Sequence, residues 1–168
     1  PVACHNDFRR QLSYSETMKR IGIISDTHSC WDESFATHFA DCDEIWHAGD
    51  IGNANVLFQL RRVAPTVRAV RGNTDYGEVS LLCQEVEIFD VEGVKVLLTH
   101  IGGYPGHYAP GLLRMMQEKG IKLMVCGHSH ILKVMWDTTN HILHINPGAA
   151  GYQGWHPKRN LVRFVIDG

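Results

Sequence analysis

The chain has 168 residues, 44% of them hydrophobic and 20% charged, with a formal net charge of −2. This length supports one domain with a full core but not two, and no apolar run reaches the ~18–20 residues of a membrane helix. The near-neutral balance leaves no electrostatic footprint for general nucleic-acid binding, though a nucleotide-sized substrate stays open.

Residues 1–17 mix polar residues with Pro, Cys and His and lack apolar periodicity, whereas Met18 opens directly into a strand-like segment. We expect an N-terminal extension over 1–17, ahead of a natural start at Met18, and a single domain over 18–168. Short β-rich runs follow at 21–24, 45–47, 67–70, 94–99, 123–126 and 142–145, in the form of buried strands. Between them, 33–40, 55–63 and 111–119 predict helices; Asn53 or Asn55 caps the second and Gly120 stops the third. The second half changes character: 84–90 with 91–99, and 132–137 with 141–145, look like paired strands joined by turns at Glu92-Gly93 and 137–140, and 161–166 adds a closing strand. The expected class is α/β (α+β), two facing sheets with helices outside. The five cysteines (Cys4, Cys30, Cys42, Cys83, Cys126) are scattered, odd in number and without a C-x-x-C pair, which points to buried thiols at Cys83 and Cys126 and a reducing, cytoplasmic setting.

The chemistry gathers where the core strands end. The first ends in Asp26-Thr27-His28, the second in Gly49-Asp50, the third in Gly72-Asn73-Thr74-Asp75, the fifth in Thr99-His100 and the next in Gly127-His128-Ser129-His130. The carboxyl end of a strand is where α/β sheets bind ligands. Carboxylate, amide and imidazole together suit borderline or fairly hard divalent ions such as Mn, Fe or Zn, and no thiolate is placed to select a softer one. Glycine before Asp50, Asn73 and His128 lets the backbone turn so that each side chain enters a shared pocket. Each element alone is weak; five in succession, each closing a strand, form a joint signal.

That order of D-x-H, G-D, G-N, H and G-H-x-H resembles the calcineurin-like metallophosphoesterase superfamily, above all its small phosphodiesterases of the YfcE type, and covers nearly all of the chain from Met18 onward, including Asn146-Pro147-Gly148. The resemblance implies a four-layer αββα sandwich of two mixed β-sheets flanked by helices. It implies two divalent metal ions, with Mn placed first and Fe, Zn or Ni as alternatives. Asp26, His28 and His130 would hold one ion; Asn73, His100 and His128 the other; Asp50 would bridge them. A hydroxide shared by the ions would attack phosphorus in line, with Asp50, Asn73 and His100 at the reacting centre.

Two positions depart from the family pattern. Thr74 stands where monoesterase relatives often carry a histidine able to protonate the leaving oxygen, and Gly103 stands where another imidazole is common. His107 and Tyr104, in a Gly-rich loop over 102–108, are the candidates to replace them, against the plainer reading of an exposed loop histidine. Asp75 is either a partner for an imidazole or for Asn73, or a turn-stabilising aspartate. His47 either orients a ligand or is a core imidazole satisfied by backbone. Trp31 is close enough to D-x-H to touch a substrate base, and the Gly-rich segment 148–158 would serve substrate binding or a subunit contact. Arg71 and Lys158 are phosphate contacts or solvated cations; His5, His38 and His156 carry no readable signal.

Taken together, the sequence predicts a metal-dependent phosphodiesterase acting on a small phosphodiester or nucleotide, with no membrane partner and with a neighbouring subunit as one way to complete an open rim. The alternatives are a phosphomonoesterase or nucleotide pyrophosphatase on the same site, and, in another class, a protein-interaction scaffold such as the retromer subunit that shares the fold.

Overall fold

A computed structural model describes residues 18–167. The expected extension over 1–17, with Cys4 and His5, lies outside the described residues. Four strands form the first sheet: β1 (Met18–Ile24), β2 (Glu44–His47) and β3 (Thr66–Ala69) run parallel, and β11 (Val162–Asp167) closes against β1 antiparallel, in the order β11-β1-β2-β3. The second sheet has the order β4-β5-β8-β10-β9. Its centre is parallel, built from β5 (Val94–Thr99), β8 (Leu123–Val125) and β10 (Ile142–Pro147), while β4 (Val86–Val91) and β9 (Leu132–Asp137) flank it antiparallel. Helices α1 (Glu33–Phe39) and α2 (Ala54–Val63) cover the first sheet, and α4 (Leu112–Lys119) covers the second.

The period-2 alternation of the strands dictates the layers. Ile21 and Ile23 point between the sheets, with Trp46, Val96, Leu98, Val125 and Ile145; Ile24 and Ile45 point the other way, onto Phe35, Phe39, Leu57 and Leu60 of α1 and α2. In the second sheet Leu97, Met124 and Ile142 face Met116 of α4. The result is the expected four-layer αββα sandwich. Gly22 is glycine for a packing reason: a Cβ there would overlap the Phe39 ring.

The caps were legible, with Asn53 accepting from Asn55 N–H at 2.8 Å and Gly120 ending α4 in a left-handed conformation. The short α3 (Glu78–Leu82) was not foreseen, and the 102–108 loop contains a two-residue hairpin, β6 (Gly103–Tyr104) with β7 (His107–Tyr108). Among the described residues no helix is long and apolar enough to cross a membrane.

One core position stands out. His144 on β10 is buried, and neither ring nitrogen has a hydrogen-bond partner; burial, followed by the nearby Lys133 charge, pushes its pKa down to about 4. Because the folded value lies below the unfolded one of ~6.5, the unfolded chain takes up a proton that the folded chain refuses, and stability falls as pH drops from ~6.5 towards 4. His47, shifted by burial to about 3, acts in the same direction. Thermal melts between pH 7 and 4.5 should therefore show a smaller loss of Tm in His144→Leu than in the wild type; parallel losses would count against this account.

Candidate metal centre

The loops leaving β1, β2, β3, β5 and β8 converge on one rim. Asp26 and His28 follow β1, Asp50 follows β2, Asn73 follows β3, His100 follows β5, and His128 and His130 follow β8. Five of these seven residues, Asp26, His28, Asp50, His128 and His130, have φ between 45° and 67° without being glycine. Such backbone is costly for an L-residue and persists only where surrounding contacts over-determine it. Here the loops clamp one another: Asp26 N–H donates to Gly49 C=O (2.9 Å), His28 N–H to Asp50 C=O (2.9 Å) and Gly127 N–H to His100 C=O (3.0 Å). Two glycines serve close approach, not turning, which corrects the expectation for them: a Cβ at Gly72 would overlap the Asp50 carboxylate, and one at Gly127 the Ser25 hydroxyl.

The side chains form two linked groups. Asp26, His28 and His130 offer ligand atoms within 4.8 Å of one another, and so do Asp26, Asp50 and His100. In the first, His130 Nε2 lies 3.2 Å from Asp26 Oδ1. In the second, His100 Nε2 faces Asn73 Oδ1 at 3.1 Å and Asp50 Oδ2 at 3.4 Å, with the His128 ring 5.1 Å from that of His100. Asp50 Oδ2 is also 3.8 Å from His28 Nε2, so this carboxylate stands between the groups.

Hydrogen-bond accounting shows what the cluster lacks. His100 Nδ1 lies 2.8 Å from Ala48 C=O, which can only accept, so Nδ1 carries a proton, while Nε2 faces two oxygens. Asp26 Oδ1 and His28 Nε2 are shielded from water with no hydrogen-bond partner. Burial raises the Asp26 pKa. Burial would also raise that of Asp50, but the His100 ring and the Thr74 N–H (2.9 Å) outweigh it and hold the carboxyl well below its usual range. Burial opposes a charged His100, yet the Asp50 and Ala48 acceptors raise its pKa. Carboxylates and imidazoles converging with Asp26 Oδ1 and His28 Nε2 unpartnered fit divalent cations, and oxygen with imidazole suits the borderline group.

Surrounding residues hold the ligand atoms in place. Asp75 is buried and accepts backbone N–H bonds from Ile51 (3.1 Å), Gly52 (2.7 Å) and Gly72 (2.8 Å). It thus pins the Asp50 loop to the Asn73 loop, and among the described residues it bonds to no imidazole, which corrects one expectation for it. His47 is fully buried; its Nδ1 accepts from Gly49 N–H at 3.2 Å, leaving Nε2–H for Thr27 Oγ1 at 2.9 Å. Asn146 donates to Gly127 C=O (2.7 Å) and Ser129 Oγ (3.1 Å), which gives the Asn-Pro-Gly segment a role in shaping the His128–His130 loop.

His156, unreadable in the sequence, turns out to orient His130. Its Nε2 lies 3.0 Å from Gly151 C=O and so carries the proton; its Nδ1 then accepts from His130 Nδ1 at 3.3 Å. The His130 Nε2 lone pair is thereby directed at Asp26 and the cluster. Only the spacing to a ligand across a Gly-rich loop could have hinted at this pairing.

Other expected residues are elsewhere. His107 packs on Tyr104 at 4.9 Å and lines a depression with Leu113, Arg114 and Asn140 whose walls include no residue of the cluster. Trp31 bonds to Glu33 and packs edge-on against Phe35. Arg71 borders the Asn73–His100 side but is paired to Glu85 at 2.8 Å.

Asp75→Ala should leave three backbone N–H groups without their charged acceptor and lower unfolding free energy by about 3 kcal/mol, read by urea titration; a loss under ~1 kcal/mol would show that the two loops do not depend on it.

Comparisons with known proteins bear on the family and the fold. The family profile described as the calcineurin-like phosphoesterase superfamily domain matches residues 18–167. A probable metallophosphoesterase of Methanocaldococcus jannaschii is 32% identical over 136 residues, which are 77% of this chain and 67% of that relative. Among solved structures, wild-type Vps29 of Entamoeba histolytica complexed with Zn2+ superposes with a TM-score of 0.63 at 19% identity, covering 78% of this chain and 74% of that one. YfcE, a phosphoesterase from E. coli, gives 0.57 at 22%, covering 77% and 79%. At these identities the two structures speak to the fold alone, whereas the profile spans every described residue. The chain belongs to the calcineurin-like phosphoesterase superfamily.

Proposed function

We propose that the protein is a metal-dependent phosphodiesterase, with one divalent ion held by Asp26, His28 and His130, a second by Asn73, His100 and His128, and Asp50 bridging them. The single observation that carries this reading is the convergence of shielded acceptors, among them the partnerless Asp26 Oδ1 and His28 Nε2, on one point of the rim. Bound there, a pair of divalent ions supplies Lewis-acid charge to phosphoryl oxygens and lowers the pKa of water. The ligand types favour Mn, with Fe, Zn and Ni as alternatives, and availability in the cell would choose among them.

The chain's own groups do the positioning. Asp50, fixed by Thr74 N–H and by the loops that Asp75 joins, holds negative charge between two cation positions. His100 and His130 keep their Nδ1 protons on Ala48 C=O and His156, so each presents Nε2 inward. The reading of diesters over monoesters rests on what stands beside Asn73: Thr74, which offers no proton near neutral pH, while His107 lines a separate depression. Cavities flank the cluster on both sides, one beside Asn73 and His100 and one beside His128 and His130, room for the two arms of a diester.

A scaffold reading has its own support in the likeness to Vps29 and in the exposed Val134 and Trp136 on the edge strand β9. Since that neighbour is itself described with Zn2+, turnover and not metal content separates the readings.

Protein purified without chelator and screened with Mn, Fe, Zn, Ni and Mg should hydrolyse bis-p-nitrophenyl phosphate in preference to p-nitrophenyl phosphate. Chelation should abolish turnover and Mn should restore it. Asp50→Asn and His128→Ala should each lower kcat/KM by about 100-fold or more. A preference for the monoester would replace the diesterase reading with a monoesterase one, and no turnover with any metal would favour the scaffold. His156→Ala should weaken Mn binding by about 10-fold, measured by calorimetry; unchanged affinity would remove His156 from the site.

A further inference from the structure

Beside the His128–His130 end of the cluster is a cavity of ≈ 680 Å³ whose walls include Ile131, Leu132, Trp155 and Lys158. That volume falls in the range of small-molecule sites. Trp155 is fully exposed, at 103% of its reference surface, more than any other large apolar side chain among the described residues. An indole left in water forgoes one of the largest burial gains available to a side chain.

Nor is Trp155 on a free-swinging segment. The residue before it, Gly154, has φ +115° and lies so close to the His130 ring that a Cβ would overlap it. The residue after it, His156, is bonded to both His130 and Gly151. Further along, Arg159 pairs with Asp32 at 2.7 Å and lies over the Tyr152 ring at 4.3 Å. The loop is therefore fastened on both sides of Trp155 and displays the indole beside a ligand of the cluster. Lys158, also on the cavity wall, forms no ion pair among the described residues.

The cavity on the other side of the cluster is smaller, ≈ 320 Å³, and is lined by Arg71, Asn73 and His100 with no Trp, Tyr or Phe. The two sides are thus unlike in size and chemistry. We propose that the Trp155 cavity is a subsite for a nucleobase, so that the substrate is a nucleotide-type phosphodiester whose base arm lies on the His130 side and whose smaller arm lies on the Asn73 side. This rests on the phosphodiesterase reading for the phosphate position. Trp155 supplies a stacking face that accepts any base, Ile131 and Leu132 supply apolar wall, and Lys158 faces anionic or carbonyl groups on that arm.

The test compares two phosphates that differ only by a base: adenosine 5′-monophosphate and ribose 5-phosphate, titrated calorimetrically into Mn-loaded protein. The wild type should bind the nucleotide about 10-fold more tightly, the increment expected of one base–aromatic stack. Trp155→Ala should reduce that ratio to about threefold or less and Trp155→Phe should keep it, with ribose 5-phosphate binding as the internal reference for an intact phosphate site. Equal affinities in the wild type, or a ratio untouched in Trp155→Ala, would overturn the subsite. Hydrolysis of bis-p-nitrophenyl phosphate, run in parallel, reports on the phosphodiesterase reading separately: a base preference that depends on Trp155 supports the subsite even where turnover is nil.

Discussion

The rim is organised around one imbalance, which is that more acceptors meet there than the donors around them can answer. Carboxylates of Asp26 and Asp50, the amide oxygen of Asn73 and the inward nitrogens of His28, His100 and His130 share a space a few ångströms across. In a protein interior such an arrangement is unfavourable unless positive charge is supplied. The surroundings relieve it only in part, through the Thr74 N–H on Asp50 and the His128 N–H on Asp26. Ala48 C=O and His156 take up the outer imidazole protons, Asp75 is engaged with backbone N–H groups, and Asp26 Oδ1 and His28 Nε2 are left without hydrogen-bond partners.

The fold tolerates this because the strain is distributed over loops that brace one another. Five cluster residues sit at positive φ, and three of them, Asp26, His28 and Asp50, are joined across loops by backbone hydrogen bonds of 2.9 Å. Gly72 and Gly127 allow the contact distances that this bracing needs. Beneath them, alternating strands bury one face against helices and the other against the opposite sheet, so the rim rests on packing that tolerates little movement.

Much of this was legible in the sequence, and the reason is local. Strands of period 2 ending in Asp, Asn or His advertise themselves, as do Asn53 at a helix start and Gly120 at a helix end. Residues whose roles come from partners distant in the chain did not. Asp75 reads as a turn residue until Ile51 and Gly52 are seen to donate to it. His156 has no meaning without His130 beside it. Trp31, near the D-x-H in sequence, is engaged with Glu33 and Phe35, while Trp155, remote in sequence, stands by the cluster. His107 illustrates the converse: a Gly-rich loop next to a ligand need not fold over it, and here the hairpin directs it toward α4.

The cluster draws Asp26, His28, Asp50 and Asn73 from the first sheet and His100, His128 and His130 from the second. Any ion held by both sets therefore acts as a rivet across the sandwich, and its binding free energy adds to the cohesion of the two halves by mass action. With an ion so held, the lifetime of the folded chain would be tied to the free metal level around it, and scarcity would make the molecule easier to unfold and degrade. A store of such proteins would be self-trimming, persisting only where its metal is on hand.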